Sequence, residues 1–595
     1  MFEDLRAFIR FLEARGELVR VRAEVDPELE LAAIHRRVVG RGGPALFFER
    51  VKDSPYPAVT NLFGTPGRVE TALGRPAAQI GEELAAFAEE LIPPSPARLW
   101  KRRGLLRRMA SARLKTVRRG PVLDTVEEPP RLSRLPALKC WPEDGGRFFT
   151  LPLVHTVDPE TGKGNLGIYR LQRYDDASTG MHWQIEKGGG FHFRKAEAAG
   201  RPLPVSVMLG GPPVLTLAAV APLPEGIDER LLAAFLLGRP LEVVRRPETG
   251  HRVAARAEFL LEGFVRPGET RREGPFGDHL GHYSRSGDFP IFHVKRMLAR
   301  RDAIYPATVV GKPPQEDYFI GNALQELFIP LLKVLRPGIS DLWSYAETGF
   351  HPLAVLSVRE RYGHEALKHA FGVLGEGQLS LTKVLIVVDA GTDVRDFRAV
   401  SRAVRESFDP EEGLFLLAPT AQDTLDFTGP APDEGSRLIL TALRGDRAPL
   451  RPPPPAPPPA REVHPDILDL RAAGEGFLAV RLADGADVEG VRLSLAGHPA
   501  AREYLFHVAL SADVDLRDDR AVLWGWFTRF DPARDLHPAR RELCGNRVRF
   551  APPLFIDATW KEGYRKPVAD PETDELVARR WPEYGIPIDP EEPAP

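Results

Sequence analysis

Cysteine is almost missing from this 595-residue chain, which holds only Cys140 and Cys544. The two lie far apart, in no CxxC spacing and beside no histidine cluster. A disulfide framework, an iron–sulfur site and a cysteine-based zinc site are therefore not expected. The amino terminus, Met1-Phe2-Glu3-Asp4-Leu5-Arg6, is charged at once and lacks the apolar run of a secretory leader. No uninterrupted stretch approaches the roughly 18 apolar residues of a membrane span. A surplus of one charge is missing too: 80 Lys+Arg face 83 Asp+Glu, a formal net charge of −3. A general nucleic-acid binder would show a basic excess. Lysine is scarce, 14 of those 80 basic residues, so arginine dominates. Its planar fork of donors suits anions, although genome composition produces the same bias. What is present is a foldable composition, 43% hydrophobic and 27% charged. At about 150 residues per domain it makes roughly three to five units. The expectation is a multidomain protein of a reducing compartment, cytoplasmic by default.

Leu5, Phe8, Ile9 and Leu12 recur at helical spacing, with Gly16 as a stop. Leu18-Val19-Arg20-Val21 and Ala45-Leu46-Phe47-Phe48 read as strands, and Asp26-Pro27 as a helix start. This alternation predicts an N-terminal α/β domain over residues 1–118, whose basic end (residues 101–119) reads as a solvated linker face. Short β-like runs at 151–156, 205–209, 214–219 and 257–261, separated by Gly and Pro, predict a barrel or sandwich over 119–310. Residues 311–450 return to α/β alternation, with Val384-Leu385-Ile386-Val387-Val388 as a strand buried on both faces. Residues 451–462 form a proline-rich linker, semi-rigid because proline fixes φ and donates no hydrogen bond. Beyond it, Asp515-Leu516-Arg517-Asp518 repeats Asp393-Val394-Arg395-Asp396, and Phe530-Asp531-Pro532 repeats Phe408-Asp409-Pro410, both at an offset of 122. Residues 463–595 are thus predicted to be a duplicated α/β module, ending past about residue 562 in a polar, mobile tail.

Three clusters could carry chemistry. Asn165-Leu166-Gly167-Ile168-Tyr169-Arg170 is followed by His182-Trp183-Gln184-Ile185-Glu186-Lys187-Gly188-Gly189-Gly190. Three glycines after a lysine suit a phosphate, or simply a flexible turn. Asn165, His182 and Glu229 offer the mixed oxygen and nitrogen donors that Mn²⁺ or Mg²⁺ accepts, though a lone histidine is often structural. Glu273-Gly274-Pro275-Phe276-Gly277-Asp278 places two acids five apart on a loop that cannot be a regular helix. Such a pair is either a surface turn or a pocket in which one acid ionises and the other is poised to donate, with an arginine holding one of them charged.

Taken in order, these motifs resemble the UbiD family of reversible (de)carboxylases that use prenylated FMN. Asn61-Leu62-Phe63-Gly64 and Gly311-Lys312-Pro313-Pro314 extend the likeness over about residues 2–445. The resemblance implies an α/β (α+β) multidomain fold: an N-terminal α/β domain, a central flavin-reductase-like split β-barrel and an α/β oligomerisation domain, here with a duplicated extra copy. It implies Asn165, His182 and Glu229 as ligands of Mn²⁺, or another divalent ion, against the flavin phosphate, with K⁺ nearby. Ile168, Tyr169, Arg170, His182, Trp183, Gln184, Lys187 and Gly188 would line the cofactor. Arg170, Glu273 and Asp278 would form the catalytic network, Asp278 protonating the carbon that loses CO₂. A separate flavin prenyltransferase would supply the cofactor. The activity implied is decarboxylation of a hydroxylated benzoate or naphthoate in ubiquinone or menaquinone biosynthesis, by a homo-oligomer (dimer or hexamer) with peripheral membrane contact if the substrate carries a prenyl tail. The alternatives are a carboxylase or decarboxylase of xenobiotic aromatics, and a non-catalytic flavin-binding subunit. Relatives acting on cinnamic-type acids carry Glu where this chain has Asp278, whose reach is shorter by about one methylene.

Overall fold

The computed structural model describes residues 1–90, 95–184, 187–444 and 451–589. Ile185 and Glu186 of the glycine motif, the expected boundary at 450 and the last six residues of the tail lie outside the described residues. The chain forms two compact units, Met1–Leu327 with Arg565–Pro595, and Phe328–Tyr564.

The first unit opens with the helix Leu5–Ala14, whose Leu5, Phe8, Ile9 and Leu12 are buried and whose N-cap Asp4 accepts from Ala7 N. Strands Leu18–Val25 and Ala45–Val51 pair in parallel, and Ala58–Thr60 and Tyr305–Pro306 complete a four-stranded sheet. The Asn61 motif leaves this sheet with φ +57° at Asn61. The buried Glu316 carboxylate accepts from Asn61 N (3.1 Å) and Phe63 N (2.8 Å). The central sheet runs Ser178–Gly180, Gly287–Ala299, Phe259–Glu273, Leu203–Leu209, Leu153–Val157, Gly164–Ile168, all neighbours antiparallel. Among the described residues no pairing closes this path into a barrel. Val154, Val205, Val207, Leu261, Val265 and Val294 fill the core beneath it.

Several local expectations fail for physical reasons. Residues 214–219 are not a strand but the helix Pro213–Ala219, started by Pro213 and buried at every position. A short apolar run buried on all sides carries no period to distinguish the two. The helix expected at Asp26 begins at Glu30, because the Glu30 carboxylate reaches back to Asp26 N (2.8 Å). The basic segment is built structure rather than linker: helices Pro96–Lys101 and Arg103–Ser111, then Leu114–Val117 pairing in parallel with Leu241–Arg245. The tail carries the helix Pro571–Tyr584, whose Val577, Trp581 and Tyr584 join the core of the first unit. Its turn-wise apolar positions are too widely diluted by charge to stand out in sequence.

The second unit contains two five-stranded sheets of the same design. One runs Ile339–Ser344, Leu353–Val358, Val384–Asp389, Glu434–Ala442, Leu414–Ala421. The other runs Ile467–Ala473, Phe477–Leu482, Phe506–Leu510, Arg547–Ala558, Leu536–Cys544. In each the two outer pairings are antiparallel and the two inner ones parallel. The repeated motif does the same job twice: Asp396 caps Phe397–Ser407 by accepting from Arg398 N, and Asp518 caps Asp519–Phe527 by accepting from Arg520 N. Phe408, Phe477, Phe506 and Trp526 share one apolar core between the two copies.

Among the described residues one helix, Glu316–Leu335, is long and apolar enough to cross a membrane by length and composition. Asn322, Gln325, Glu326 and Lys333 interrupt its apolar run, and core helices of soluble proteins meet the same criterion.

Candidate active site

Arg170 follows the strand Gly164–Ile168, and Glu273 ends the strand Phe259–Glu273. The chain then turns at Gly274, whose φ of +84° a side chain would oppose, and carries Asp278 back over the sheet. Residues 103 and 108 positions apart in sequence meet here. Arg170 Nε donates to Glu273 Oε1 (3.0 Å), Nη2 donates to Ser284 Oγ (2.9 Å), and Nη1 pairs with Asp278 Oδ2. The side chains of Arg170, Glu273 and Asp278 are only 7%, 1% and 8% exposed. The guanidinium carbon also lies 4.9 Å from the centroid of the Phe276 ring.

Charge decides the protonation states. Burial opposes ionisation of Glu273, yet Arg170 and then His182 outweigh it and bring its carboxyl down to about 2. Burial likewise opposes ionisation of Asp278, and Arg170 followed by His279 carries it well below the ordinary carboxylate range. The sequence-based split into one ionised and one protonated acid is therefore not what the resting site holds: one arginine sits between both acids and keeps both ionised. His182 is pushed down by burial and by Arg170, against the pull of Glu273, so its ring is neutral at pH 7. Its Nδ1 lies 2.7 Å from Glu273 Oε2. The ionised carboxylate can only accept, so Nδ1 carries the proton and Nε2 keeps its lone pair.

Among the described residues that Nε2 is buried with no hydrogen-bond partner, as are Asn165 Nδ2 and Trp183 Nε1. Buried polar atoms left unpaired this way are costly unless a ligand completes them. Beside them, Glu229 starts the helix Glu229–Leu237, and its Oε2 accepts from Leu166 N at 2.6 Å, which brings it against the Asn165 segment. Burial raises its carboxyl to about 7, against that amide. A Cβ at Gly188 would fall 2.1 Å from Asn165 Oδ1, and one at Gly189 would fall 2.5 Å from Trp183 Cζ3. The two glycines thus bring the start of the helix Gly188–Ala198 directly onto these side chains. Lys187 is the N-cap of that helix, and its carbonyl accepts from Gly190 N (3.0 Å) and Phe191 N (3.2 Å) in the first turn. Tyr169 accepts from Gly189 N through its hydroxyl (3.1 Å), and its ring meets Trp183 edge-on, centroids 5.0 Å apart. Ile168 and Gln184 are half-buried beside this group. No set of three or more His, Cys, Asp or Glu side chains placed to hold a metal occurs among the described residues. Asn165 and Glu229 lie together, while His182 is tied to Glu273; a divalent ion would take the mixed Asn, His and Glu donors.

Two residues of this site carry no sequence signal. Asp144 accepts from Cys140 N, Trp141 N and Gly277 N (2.9, 2.9 and 2.8 Å), and burial raises its carboxyl to about 7 against those three amides. Ser284 Oγ accepts from Phe276 N (3.2 Å) as well as from Arg170. Asp144 ties the acidic loop at Gly277 to the 140–144 segment, and Ser284 folds the loop back on Phe276 and joins it to Arg170.

Comparison with known proteins gives three family models in chain order. The 3-octaprenyl-4-hydroxybenzoate carboxy-lyase (UbiD) N-terminal domain matches residues 9–88, the Rift-related domain 115–313 and the C-terminal domain 318–442. A Chlamydia pneumoniae protein named as a subunit of 4-hydroxybenzoate decarboxylase is 42% identical over 586 residues, 98% of each chain. The vanillic acid decarboxylase of Sedimentibacter hydroxybenzoicus in its closed form superposes with a TM-score of 0.67 at 26% identity, covering 78% of this chain and 97% of that one. An evolved dimeric form of the UbiD-class enzyme HmfF from Pelotomaculum thermopropionicum, in complex with prFMN, gives 0.61 at 28% identity, covering 74% and 95%.

Proposed function

The chain belongs to the UbiD family of carboxy-lyases, and from that premise we propose that it releases CO₂ from a hydroxylated aromatic acid, a benzoate or naphthoate quinone precursor, with prenylated FMN bound beside Arg170, Glu273 and Asp278. The observation that carries this reading is the buried arginine gripping two ionised acids next to a set of unpartnered polar atoms.

Asn165, His182 and Glu229 would hold a divalent ion against the flavin phosphate, with K⁺ nearby, and Ile168, Tyr169, Trp183, Gln184, Lys187 and Gly188 would line the cofactor. The prenylated flavin, when bound, supplies the electron sink that an aromatic ring lacks when it loses its carboxylate. The remaining work falls to the protein. Arg170 pairs with both acids, and a substrate carboxylate drawn to it would dilute its hold on Asp278. The proton affinity of Asp278 then rises, which lets a resting carboxylate become the acid that protonates the ring carbon. Glu273 stays paired with Arg170 and His182 and keeps the local charge from collapsing. Net turnover consumes one proton and releases one CO₂.

The Chlamydia relative's name points to 4-hydroxybenzoate and the Sedimentibacter enzyme's to vanillate, which favours a single-ring phenolic acid. Such an acid without a prenyl tail, of xenobiotic origin, is the second reading. A homo-oligomer belongs to this reading whatever the substrate, and a peripheral membrane contact would accompany the prenylated case. Co-production with a flavin prenyltransferase, followed by absorption and mass spectra of the extracted ligand, tests the cofactor. A panel of hydroxybenzoates and hydroxynaphthoates, with and without prenyl groups, then tests the substrate. Extracted ligand without a flavin chromophore would refute the assignment, and turnover confined to non-quinone aromatics would select the second reading.

A further inference from the structure

The three family models end at residue 442, yet a segment far beyond them touches the catalytic loop. Arg565, the first residue to rejoin the first unit, accepts through its carbonyl from Tyr283 N at 2.7 Å. Its guanidinium pairs with Glu143 Oε2 and lies 5.8 Å over the Tyr283 ring. Glu143 N donates in turn to Tyr283 Oη (3.0 Å). Tyr283 is buried, and its two neighbours hold the acidic loop: His282 O accepts from Asp278 N (3.0 Å), and Ser284 N donates to Phe276 O (2.8 Å). Ser284 Oγ then reaches Arg170. Only five residues separate Arg565 from the helix Pro571–Tyr584, which is fixed independently. Arg580 pairs with Glu30, Tyr584 Oη donates to Glu30 Oε1 (2.7 Å), and Val577 and Trp581 are buried. Six steps of extended chain span at most about 22 Å, so the anchored helix limits how far Arg565 can move from the place where its carbonyl meets Tyr283 N.

We propose that Arg565 is a positioning residue: the C-terminal segment is a strap, anchored by its helix, that holds the Tyr283 end of the loop and so fixes Asp278 against Arg170. The role rests on the decarboxylase reading only for its effect on turnover; the contact itself does not. The strap also gives the repeated module, which contributes no catalytic side chain, a consequence for the site, since the chain reaches Arg565 only after completing that module.

Two full-length variants test this. Arg565→Ala removes the pair with Glu143 and the ring contact. Four glycines inserted between Lys566 and Pro567 slacken the strap and leave the anchor helix free to dock. Amide exchange is measured by mass spectrometry on protein without substrate, and kcat and KM on cofactor-loaded protein with a turned-over phenolic acid. The expected result is exchange at residues 276–284 at least ten-fold faster in the insertion variant and several-fold faster in Arg565→Ala, with anchor-helix exchange unchanged. kcat should fall about ten-fold in the insertion variant at little-changed KM. Wild-type exchange at Tyr283 in both variants would overturn the strap. Faster exchange with wild-type kcat would overturn its positioning role. Exchange is read without chemistry, so a failure of the decarboxylase reading is separately visible.

Discussion

Replacing Arg170 by methionine should leave two buried carboxylates facing each other with no guanidinium between them. The Glu273 and Asp278 side chains are 1% and 8% exposed, so water cannot take over the role of the cation. Removing one partner of a buried ion pair costs about 3–5 kcal/mol, and the methionine still packs near Phe276, so little of this is lost volume. The pH dependence distinguishes charge from packing. In the wild type both acids are depressed, Glu273 to about 2 from 4.5. Their stabilisation is complete above those ordinary values and is lost only as pH falls through the folded ones, so they leave wild-type stability flat between pH 5 and 8. In the variant burial loses its strongest opponent, with His182 beside Glu273 and His279 beside Asp278 opposing it in part, and both carboxyls rise. The folded state then binds more protons than the unfolded state, and its stability climbs as pH falls from 8 to 5. His182, no longer repelled by Arg170, takes up a proton and offsets part of the loss, and adding His182→Gln removes that offset. Denaturant-dependent amide exchange in the strand Gly164–Ile168 reads the unit that carries the site rather than the whole chain. A gap below about 1 kcal/mol at pH 7, the size of a surface pair, or one unchanged between pH 8 and 5, would refute the electrostatic reasoning.

Other outcomes follow from the same geometry. Asp278→Asn should reduce kcat by about 10²–10⁴, the usual worth of a positioned acid, while bound flavin measured by absorbance stays at the wild-type level. Gly188→Ala places a methyl 2.1 Å from Asn165 Oδ1, so flavin occupancy after co-production should drop several-fold while the melting temperature of the unloaded protein moves little. Asp396→Ala and Asp518→Ala should each cost about 1 kcal/mol by denaturant titration; a measurable loss at only one of them would contradict equivalent caps in the two copies.

Much of the site is legible along the chain because its chemistry is concentrated in short, unusual strings. The stretch from Glu273 to Asp278 needs glycine at a positive φ, and the glycines after Lys187 are needed for close approach to Asn165 and Trp183. Such backbone demands leave a mark in composition. The repeat is legible for a similar reason: an Asp cap two residues before an Arg amide recurs at a fixed offset. What stays hidden depends on distant neighbours. Residues 214–219 form a helix because the core surrounds them, which no local period reports. Asp144 and Ser284 are ordinary residues until the fold brings Gly277 and Arg170 to them. The tail reads as polar because Val577, Trp581 and Tyr584 are spaced among charges, although their burial docks it. The protonation of the two acids differs from the sequence-based expectation because the position of Arg170, between rather than beside them, is a tertiary fact.

The most direct test is turnover of a carboxyl-labelled 4-hydroxybenzoate in heavy water by the wild type and by Asp278→Asn, both loaded to the same flavin content. The wild type should release labelled CO₂ and place one deuterium on the ring carbon that carried it, and the variant should do neither at a comparable rate. Equal release and equal deuterium incorporation by the two proteins would contradict the role assigned to the arginine and its two acids.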